Sequence, residues 1–143
     1  MKITVIDGQG GGIGRQLVER IKAEIPSAEI TGVGTNVSAT IAMQKAGADH
    51  SATGENAVVV ACRKSDLVAG PLGIVIADSL YGEITPKMAL AVSQSSAVRI
   101  LVPVNLCDNY VAGIAVSSMT KLVEDCVSKM KSLPAYDCSA SDL

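Results

Sequence analysis

The sequence begins with a strand pattern, a run of glycines and a helix pattern, in that order. Lys2 to Ile6 is a short β-branched run of the kind that forms buried strands. Five glycines fall within the next eight residues, Asp7 to Gly14. Apolar residues then recur at helical spacing up to Ile25, where Pro26 follows as a stop. A glycine-rich turn between a buried strand and a helix favours an α/β domain with a parallel sheet.

The same alternation continues along the chain. Ile30 to Val33 predicts a second strand, and Asn36 to Ala46 predicts an alanine-rich second helix that ends at Gly47. A strand-helix-strand-helix opening predicts parallel strands joined by right-handed crossovers.

The middle of the chain is more ambiguous. Thr53 to Ala57 can cap a third helix that runs to about Lys64, although Val58 to Val60 also suits a strand; the length favours the helix. Leu67 to Gly70 predicts the third strand. Leu72 to Tyr81 is compatible with a short helix or with a strand of a hairpin, and the pattern does not decide between them.

The last third of the chain predicts two helices and two strands. Thr85 and Pro86 form a strong helix start, and that helix should run to about Ser96. Arg99 to Val104 predicts the fourth strand and Val111 to Val116 the fifth. The six residues between them are too few for a crossover, so this pair should be antiparallel, at a sheet edge.

A final helix carries one apolar stripe from Met119 to Met130 after a cap at Ser117 and Ser118, and Pro134 ends it. These patterns predict one Rossmann-like three-layer α/β domain over residues 1–133, with a mostly parallel sheet of about five strands and an antiparallel edge strand. Residues 134–143 are predicted to be a flexible tail.

Composition excludes several classes of function. The chain has 143 residues, a net charge of −2 and no Phe or Trp, so it lacks the basic surface and the aromatic platform of a nucleic-acid-binding protein. The apolar stretch from Leu67 to Ala77 is too short to cross a membrane, and Asp7 interrupts the first apolar run too early for a signal peptide. The four cysteines have no C-x-x-C spacing, which predicts reduced thiols, no metal site and a cytoplasmic location.

The glycine spacing indicates a ligand class without naming a reaction. The G-x-G-x-x-G form fails at Ile13, and the phosphate-binding G-x-x-x-x-G-K-[ST] loop fails at Arg15. Gly8, Gly12 and Gly14 fit G-x-x-x-G-x-G, which resembles the cofactor loop of short-chain dehydrogenases. Five glycines exceed what packing requires, so we predict that the loop holds a phosphate; the alternative is a loop that serves only to pack the first helix against the sheet.

Two positions complicate a dinucleotide site. A carboxylate at Asp7 would repel phosphate unless it binds a metal or caps the loop by accepting backbone N–H bonds, and a hydrogen bond to a ribose or substrate hydroxyl is another alternative. Of these roles, we predict that Asp7 caps the loop. The end of the second strand reads Gly34-Thr35-Asn36 and lacks the acidic residue that holds ribose hydroxyls. Asn36 can hydrogen-bond a ribose, although a helix N-cap is a sufficient reason for it.

Because ligands bind outside the carboxyl ends of parallel strands, the predicted binding residues are those that follow the first four strands. They are Asp7, Gly8, Gln9, Gly10, Gly11, Gly12, Ile13, Gly14, Thr35, Asn36, Gly70 and Asn105. NAD or NADP is the leading candidate ligand, and another nucleotide is the alternative.

Catalytic groups are scarce, so the sequence does not decide whether the protein is an enzyme. No Tyr-x-x-x-Lys pair is present, and the catalytic half of the short-chain dehydrogenases is therefore missing. Cys107 is a weak nucleophile candidate, and His50, the single histidine, is expected in an exposed turn on the opposite rim. Asp78 and Glu83 can face the binding rim, although such acids are more often solvated. An alternative function is a small enzyme for a phosphorylated or carboxylated metabolite, with three polar groups around the loop: Asp7, Asn105 and Asp108.

Several segments resemble a family of small bacterial proteins of unknown function. They are Ile6 to Gly14, Gly34 to Asn36, Ala52 to Asn56, Gly70 to Ile74 and Gly82 to Pro86. The resemblance covers roughly residues 1–133 and implies a Rossmann-like nucleotide-binding fold. It implies no activity, substrate or catalytic residue.

The low charge of the second half predicts self-association. Only six charged residues lie between Ser65 and Thr120, so part of this region, either Leu72 to Tyr81 or Val111 to Val116, should pack on a second copy in a homodimer. The alternative is that Leu72 to Tyr81 folds back over the sheet and fills the core of a monomer.

Overall fold

The β-branched run after Met1 is the central strand of a five-stranded sheet. In this computed structural model, β1 (Lys2–Asp7) pairs with β2 (Glu29–Gly34) on one side and with β4 (Leu67–Pro71) on the other. β3 (His50–Thr53) lies outside β2, and β5 (Val98–Val102) lies outside β4. The structure describes residues 1–104, 109–115 and 117–133.

The strand order β3-β2-β1-β4-β5 places a reversal of the chain at β1. The chain moves outward from β1 to β3, returns to the other side of β1 and continues outward through β4 and β5. The four strand pairings within the described residues are all parallel, which confirms the predicted parallel sheet. In open α/β sheets the ligand crevice lies outside the carboxyl ends of the strands at such a reversal, here the ends of β1 and β4.

Helices cover both faces of the sheet and complete the predicted three layers. They are α1 (Gly12–Glu24), α2 (Val37–Lys45), α3 (Glu55–Lys64), α4 (Pro86–Gln94) and α5 (Met119–Ser132). Buried side chains of α1, α2 and α5 pack on one face of the sheet, around Val5. Those of α3 and α4 pack on the other, around Val68.

Three helix starts predicted from the sequence are confirmed by their capping hydrogen bonds. The side chain of Asn36 accepts the N–H of Ala39 at 2.9 Å at the start of α2. Thr85 accepts from Met88 at 3.1 Å before α4, and Ser118 accepts from Lys121 at 3.2 Å before α5. Each cap satisfies a backbone donor that the first helical turn leaves free.

The predicted antiparallel fifth strand is wrong. Residues 111–115 form no strand, and Gly113 there adopts a φ of 80° within a turn. The fifth strand is instead β3, which was expected to be a turn and the cap of the third helix. β3 has no apolar run for the pattern to detect, because its side chains are mostly exposed and its place is fixed by backbone pairing with β2.

The segment between β4 and α4, the β4–α4 connection (Leu72–Thr85), contains a single 3-10 turn, Leu72–Val75, followed by turns. Of the two predicted alternatives for Leu72 to Tyr81, the short helix is therefore present over Leu72–Val75 only. Leu80 and Ile84 are buried in the core, so most of the stretch folds back on the molecule as the monomer alternative predicts. Tyr81 at its tip is 89% exposed.

Within the described residues, no helix is both long enough and apolar enough to cross a bilayer. The predicted flexible tail, residues 134–143, lies outside the described part of the chain.

Candidate functional site

The glycine loop connects the carboxyl end of β1 to the first turn of α1, at the reversal point of the sheet. Two left-handed residues make the turn: Gln9 has a φ of 51° and Gly11 a φ of 73°. The N–H of Gly11 closes the turn by donating to the carbonyl of Gly8 at 2.9 Å. The sequence therefore folds here as the strand-loop-helix unit that its spacing predicts.

Asp7 caps this loop, as predicted. Its buried carboxylate accepts the N–H of Gly8 at 2.8 Å and the N–H of Gly14 at 2.6 Å, and the N–H of Ile13 also donates to it. Burial raises the pKa of Asp7, and the backbone hydrogen bonds offset part of that increase. The carboxylate thus serves the architecture of the loop and leaves little capacity for chemistry.

Three of the five glycines are explained by packing inside the chain. A side chain on Gly8 would meet Glu83 Oε2 at 2.5 Å, and one on Gly14 would meet Met43 Sδ at 2.7 Å. At Gly11 it would meet the Cα of Ala39 at 2.8 Å, and the positive φ adds strain for any L-residue. These three positions are buried and fit the packing alternative.

Gly10 and Gly12 are different, because nothing in the described chain requires them to be glycine. Both are exposed, neither has a positive φ, and no described atom lies within 4 Å of where a side chain would begin. Neither amide donates to any described residue. The amide of Gly12 belongs to the first turn of α1, where free N–H groups and the positive end of the helix dipole favour an anion.

Glu83 reaches the loop from the β4–α4 connection and is the most densely hydrogen-bonded acid of the site. Its Oε2 accepts the backbone N–H of Gln9 at 2.9 Å, the hydroxyl of Thr35, and the side-chain amide of Asn36 at 3.1 Å. Its Oε1 accepts from the side-chain amide of Gln9. Partial burial tends to raise the pKa of Glu83, but the donors outweigh it and hold the pKa below its ordinary value.

The predicted residues after β2 therefore join the loop through Glu83. Asn36 has two roles, because it caps α2 and also donates to the carbonyl of Gln9 at 2.9 Å. Gly70 lies at the end of β4 but is buried, and a side chain there would overlap the carbonyl oxygen of Ile6. Strand packing alone explains Gly70, which presents no open surface to a ligand.

The remaining chemical candidates gain no support. Asn105, Cys107 and Asp108 lie outside the described residues. His50 is exposed, as expected, but it is the first residue of β3. Its Nε2 lies 3.2 Å from Oε1 of Glu29, at the end of the sheet away from the loop. Cys62 and Cys126 are buried thiols, and burial raises the pKa of each to about 11, which keeps them protonated.

Comparison with known proteins places the chain in a family. The sequence matches the family described as Domain of unknown function (DUF3842) over residues 2–134. The chain belongs to this family. The match spans nearly the whole chain and agrees with the resemblance to small proteins of unknown function; the likeness of the loop to short-chain dehydrogenases stays a prediction.

No curated protein matches the chain significantly. Among solved structures, the dodecameric FMN-dependent UbiX-like decarboxylase of Escherichia coli O157:H7 is similar, with a TM-score of 0.48 and 18% sequence identity. The similarity covers 100% of this chain and 86% of that one. At this TM-score and identity, the similarity assigns no fold, ligand or reaction to the chain.

Sequence reasoning identified the loop and Asp7 but did not assign Glu83 a place in the site. The sequence predicts only that Glu83, like Asp78, can face the binding rim. Acids in such loops are more often solvated charges, so the sequence gives no reason to choose Glu83. The hydrogen bonds that place Glu83 join residues 47 to 74 positions apart in the sequence, which no local pattern encodes. Within the described residues, no cluster of three or more His, Cys, Asp or Glu side chains is arranged to hold a metal ion.

Proposed function

We propose that this protein binds a nucleotide at the glycine loop, with a phosphate against the backbone amides of Gly10 and Gly12. NAD or NADP is the leading ligand, and a mononucleotide is the alternative. The site lies at the reversal point of a parallel sheet, where α/β proteins commonly bind nucleotides.

One observation carries the proposal: the two glycines without a packing reason are also the two with unused amides. Gly8, Gly11 and Gly14 each have a neighbour that excludes a side chain, whereas Gly10 and Gly12 face open space. A close approach of a ligand to the backbone supplies the missing reason for glycine at both positions. A loop built only for packing gives Gly10 and Gly12 no function.

The two acids near the loop limit where a phosphate can bind. Asp7 already takes the amides of Gly8, Ile13 and Gly14, and Glu83 takes the amide of Gln9. The phosphate is therefore confined to the side of the loop on which Gly10 and Gly12 are exposed. The enzyme alternative is weaker, because Asp7 is occupied in capping.

Thermal unfolding with added nucleotides tests the proposal. NADH, NADP, 5′-AMP and FMN are added to the purified protein, with adenosine as the control that lacks a phosphate. A ligand present at one hundred times its Kd adds about 2.7 kcal/mol to the unfolding free energy, which gives a clear shift in Tm. No shift with any of the four, together with no nucleotide in the protein as purified, would contradict the proposal.

Two variants then locate the site. Gly10→Ala and Gly12→Ala place a methyl group in open space, so each should leave the unfolding free energy within about 0.5 kcal/mol of the wild type. Both should reduce the nucleotide-induced shift, because the methyl group obstructs the approach to the amides. An unchanged shift in both variants would place the ligand elsewhere.

We also infer that the protein forms a homodimer through the chain that follows β5. Tyr110 is 86% exposed, and Val111 and Ile114 beside it are also exposed. Exposed apolar side chains grouped in one segment are typical of interaction surfaces. Leu72 to Tyr81, the other candidate surface, is mostly folded into the core, so residues 109–115 are the better candidate.

A further inference from the structure

We propose that Glu83 selects the nucleotide: its carboxylate binds the 2′- and 3′-hydroxyls of an unmodified ribose and excludes a ligand with a 2′-phosphate. This inference rests on the proposed function, because it requires a nucleotide with its phosphate at Gly10 and Gly12.

The position of the carboxylate supports this role. Glu83 belongs to the β4–α4 connection, but its side chain crosses to the ends of two other strands, where Gln9 follows β1 and Thr35 and Asn36 follow β2. It therefore lies beside the proposed phosphate position, on the β2 side of the loop. In dinucleotide-binding sheets, this is the side on which the ribose hydroxyls are held.

Glu83 also supplies a group that the chain otherwise lacks. Dinucleotide-binding folds commonly carry an acidic residue near the end of the second strand to accept the ribose hydroxyls. Here that position is occupied by Thr35 and Asn36, and both donate to Glu83. An acid from the β4–α4 connection thus reaches the place that β2 leaves without one.

The carboxylate has capacity for hydroxyl donors. Oε2 accepts three hydrogen bonds, but Oε1 accepts only one, from the side-chain amide of Gln9. A carboxylate oxygen has about two acceptor positions, so a ribose hydroxyl can bind Oε1 without displacing Thr35 or Asn36. The Gln9 amide can also yield its place, because Gln9 is exposed and donates to the carbonyl of Leu80 as well.

Charge explains why a 2′-phosphate is excluded. The donors hold the pKa of Glu83 low, so the group is an anion at neutral pH. No Lys or Arg within the described residues forms a hydrogen bond or an ion pair with it. A 2′-phosphate would place a second anion against the first without a cation to balance them.

The test compares two ligands that differ only in the 2′-phosphate: 5′-AMP and adenosine 2′,5′-bisphosphate. Their Kd values are measured by calorimetry with the wild type, with Glu83→Gln and with Asp78→Asn. Asp78→Asn is the matched control, since it removes one negative charge from the same connection. Asp78 is exposed with a φ of 64°, a conformation that Asn tolerates well.

The wild type should bind 5′-AMP at least about tenfold more tightly than the bisphosphate, which corresponds to one modest electrostatic contact. In Glu83→Gln this ratio should fall close to one, and in Asp78→Asn it should stay at the wild-type value. Equal Kd values for the two ligands in the wild type would overturn the inference but leave the proposed function intact. Tighter binding of both ligands by Glu83→Gln would also overturn it, because the carboxylate would then be competing with the ligand.

Binding of neither ligand to the wild type would overturn this inference, and together with no shift for NADH, NADP or FMN it would overturn the proposed function as well. If Glu83→Gln does not fold, 2′-deoxy-AMP and 3′-deoxy-AMP provide a second measurement on the wild type. Each should bind more weakly than 5′-AMP, because one hydroxyl that donates to Glu83 is missing. Affinities equal to that of 5′-AMP would show that the carboxylate binds no ribose hydroxyl.

Discussion

The five glycines of the first loop share a short stretch of sequence but have different surroundings. At Gly11, the backbone conformation and a neighbouring helix both exclude a side chain, whereas at Gly12 neither does. The fold thus requires glycine at position 11 but tolerates a side chain at position 12. Substitution by alanine separates these two cases.

We expect Gly11→Ala to lower the unfolding free energy by about 1–3 kcal/mol, since the methyl group meets backbone and the left-handed φ is strained. Gly12→Ala should change it by no more than about 0.5 kcal/mol, because alanine suits the first turn of a helix. Urea unfolding at neutral pH measures both. A small effect at Gly11 would mean that the loop does not pack against α2 at Ala39 as described.

Asp7 and Glu83 should have opposite effects on stability as the pH changes. The pKa of Glu83 is below its ordinary value of 4.5 in the folded protein, so its contribution is fully present above that pH and is lost as the pH falls further. The pKa of Asp7 is raised above 3.8, so its contribution is largest at or below that pH and declines as the pH rises through the folded pKa.

Unfolding of the wild type, Glu83→Gln and Asp7→Asn between pH 3 and pH 7 checks these signs. The advantage of the wild type over Glu83→Gln should shrink as the pH is lowered, because the carboxylate is then protonated in both folded and unfolded chains. Its advantage over Asp7→Asn should shrink as the pH is raised. Parallel curves for all three proteins would show that neither acid has a shifted pKa.

At the scale of elements, the β4–α4 connection combines buried anchors with an unfavourable backbone. Asp78, Leu80 and Tyr81 all have left-handed φ angles, and Leu80 is also part of the core. The hydroxyl of Ser79 donates to the carbonyl of Gly73 and ties the turn to the 3-10 segment. These contacts hold in place the connection that carries Glu83.

Tyr81 should be the position where this backbone cost can be relieved. Its side chain is 89% exposed, so replacing it loses little packing. Tyr81→Asn should raise the unfolding free energy by about 0.5–1 kcal/mol, because Asn tolerates the left-handed region. Tyr81→Ala is the control and should give no such gain. Equal stabilities for both variants would show that backbone strain at this position is negligible.

The elements that the sequence predicts well are those with a strong period or a clear cap. The apolar stripes of α1 and α5 and the caps at Asn36 and Thr85 are local features, and the structure confirms them. β3 was missed because its four residues are held by backbone pairing with β2, which leaves no hydrophobic signature. Residues 111–115 suited a strand by composition, but the turn at Gly113 interrupts it.

At the scale of the whole molecule, the site is assembled from parts that lie far apart in the chain. The strand order brings the ends of β1, β2 and β4 to one rim, and this could be anticipated from the alternating pattern. The contact of Glu83 with Thr35 spans 48 residues and depends on how the β4–α4 connection folds back. Sequence reasoning therefore located the rim but did not find the acid that crosses it.

The exposed apolar residues after β5 predict that the whole molecule self-associates. Light scattering at micromolar concentration should give twice the chain mass of 14.6 kDa. Tyr110→Ser, which removes an exposed aromatic ring, should shift the protein towards the monomer, while Leu90→Ser on α4 serves as an exposed apolar control. A mass near that of one chain would mean that the exposed residues after β5 do not form a dimer interface.

A nucleotide phosphate that binds the amides of Gly10 and Gly12 should change the backbone amide resonances of both residues directly. In a ¹⁵N–¹H titration with 5′-AMP, the signals of Gly10 and Gly12 should move most, with saturation at a common Kd. The signal of Gly47, which follows α2 at the opposite end of the sheet, should remain in place. If the signals of Gly10 and Gly12 do not move at saturating nucleotide, or if the largest shifts occur away from the loop, the phosphate does not bind these two amides.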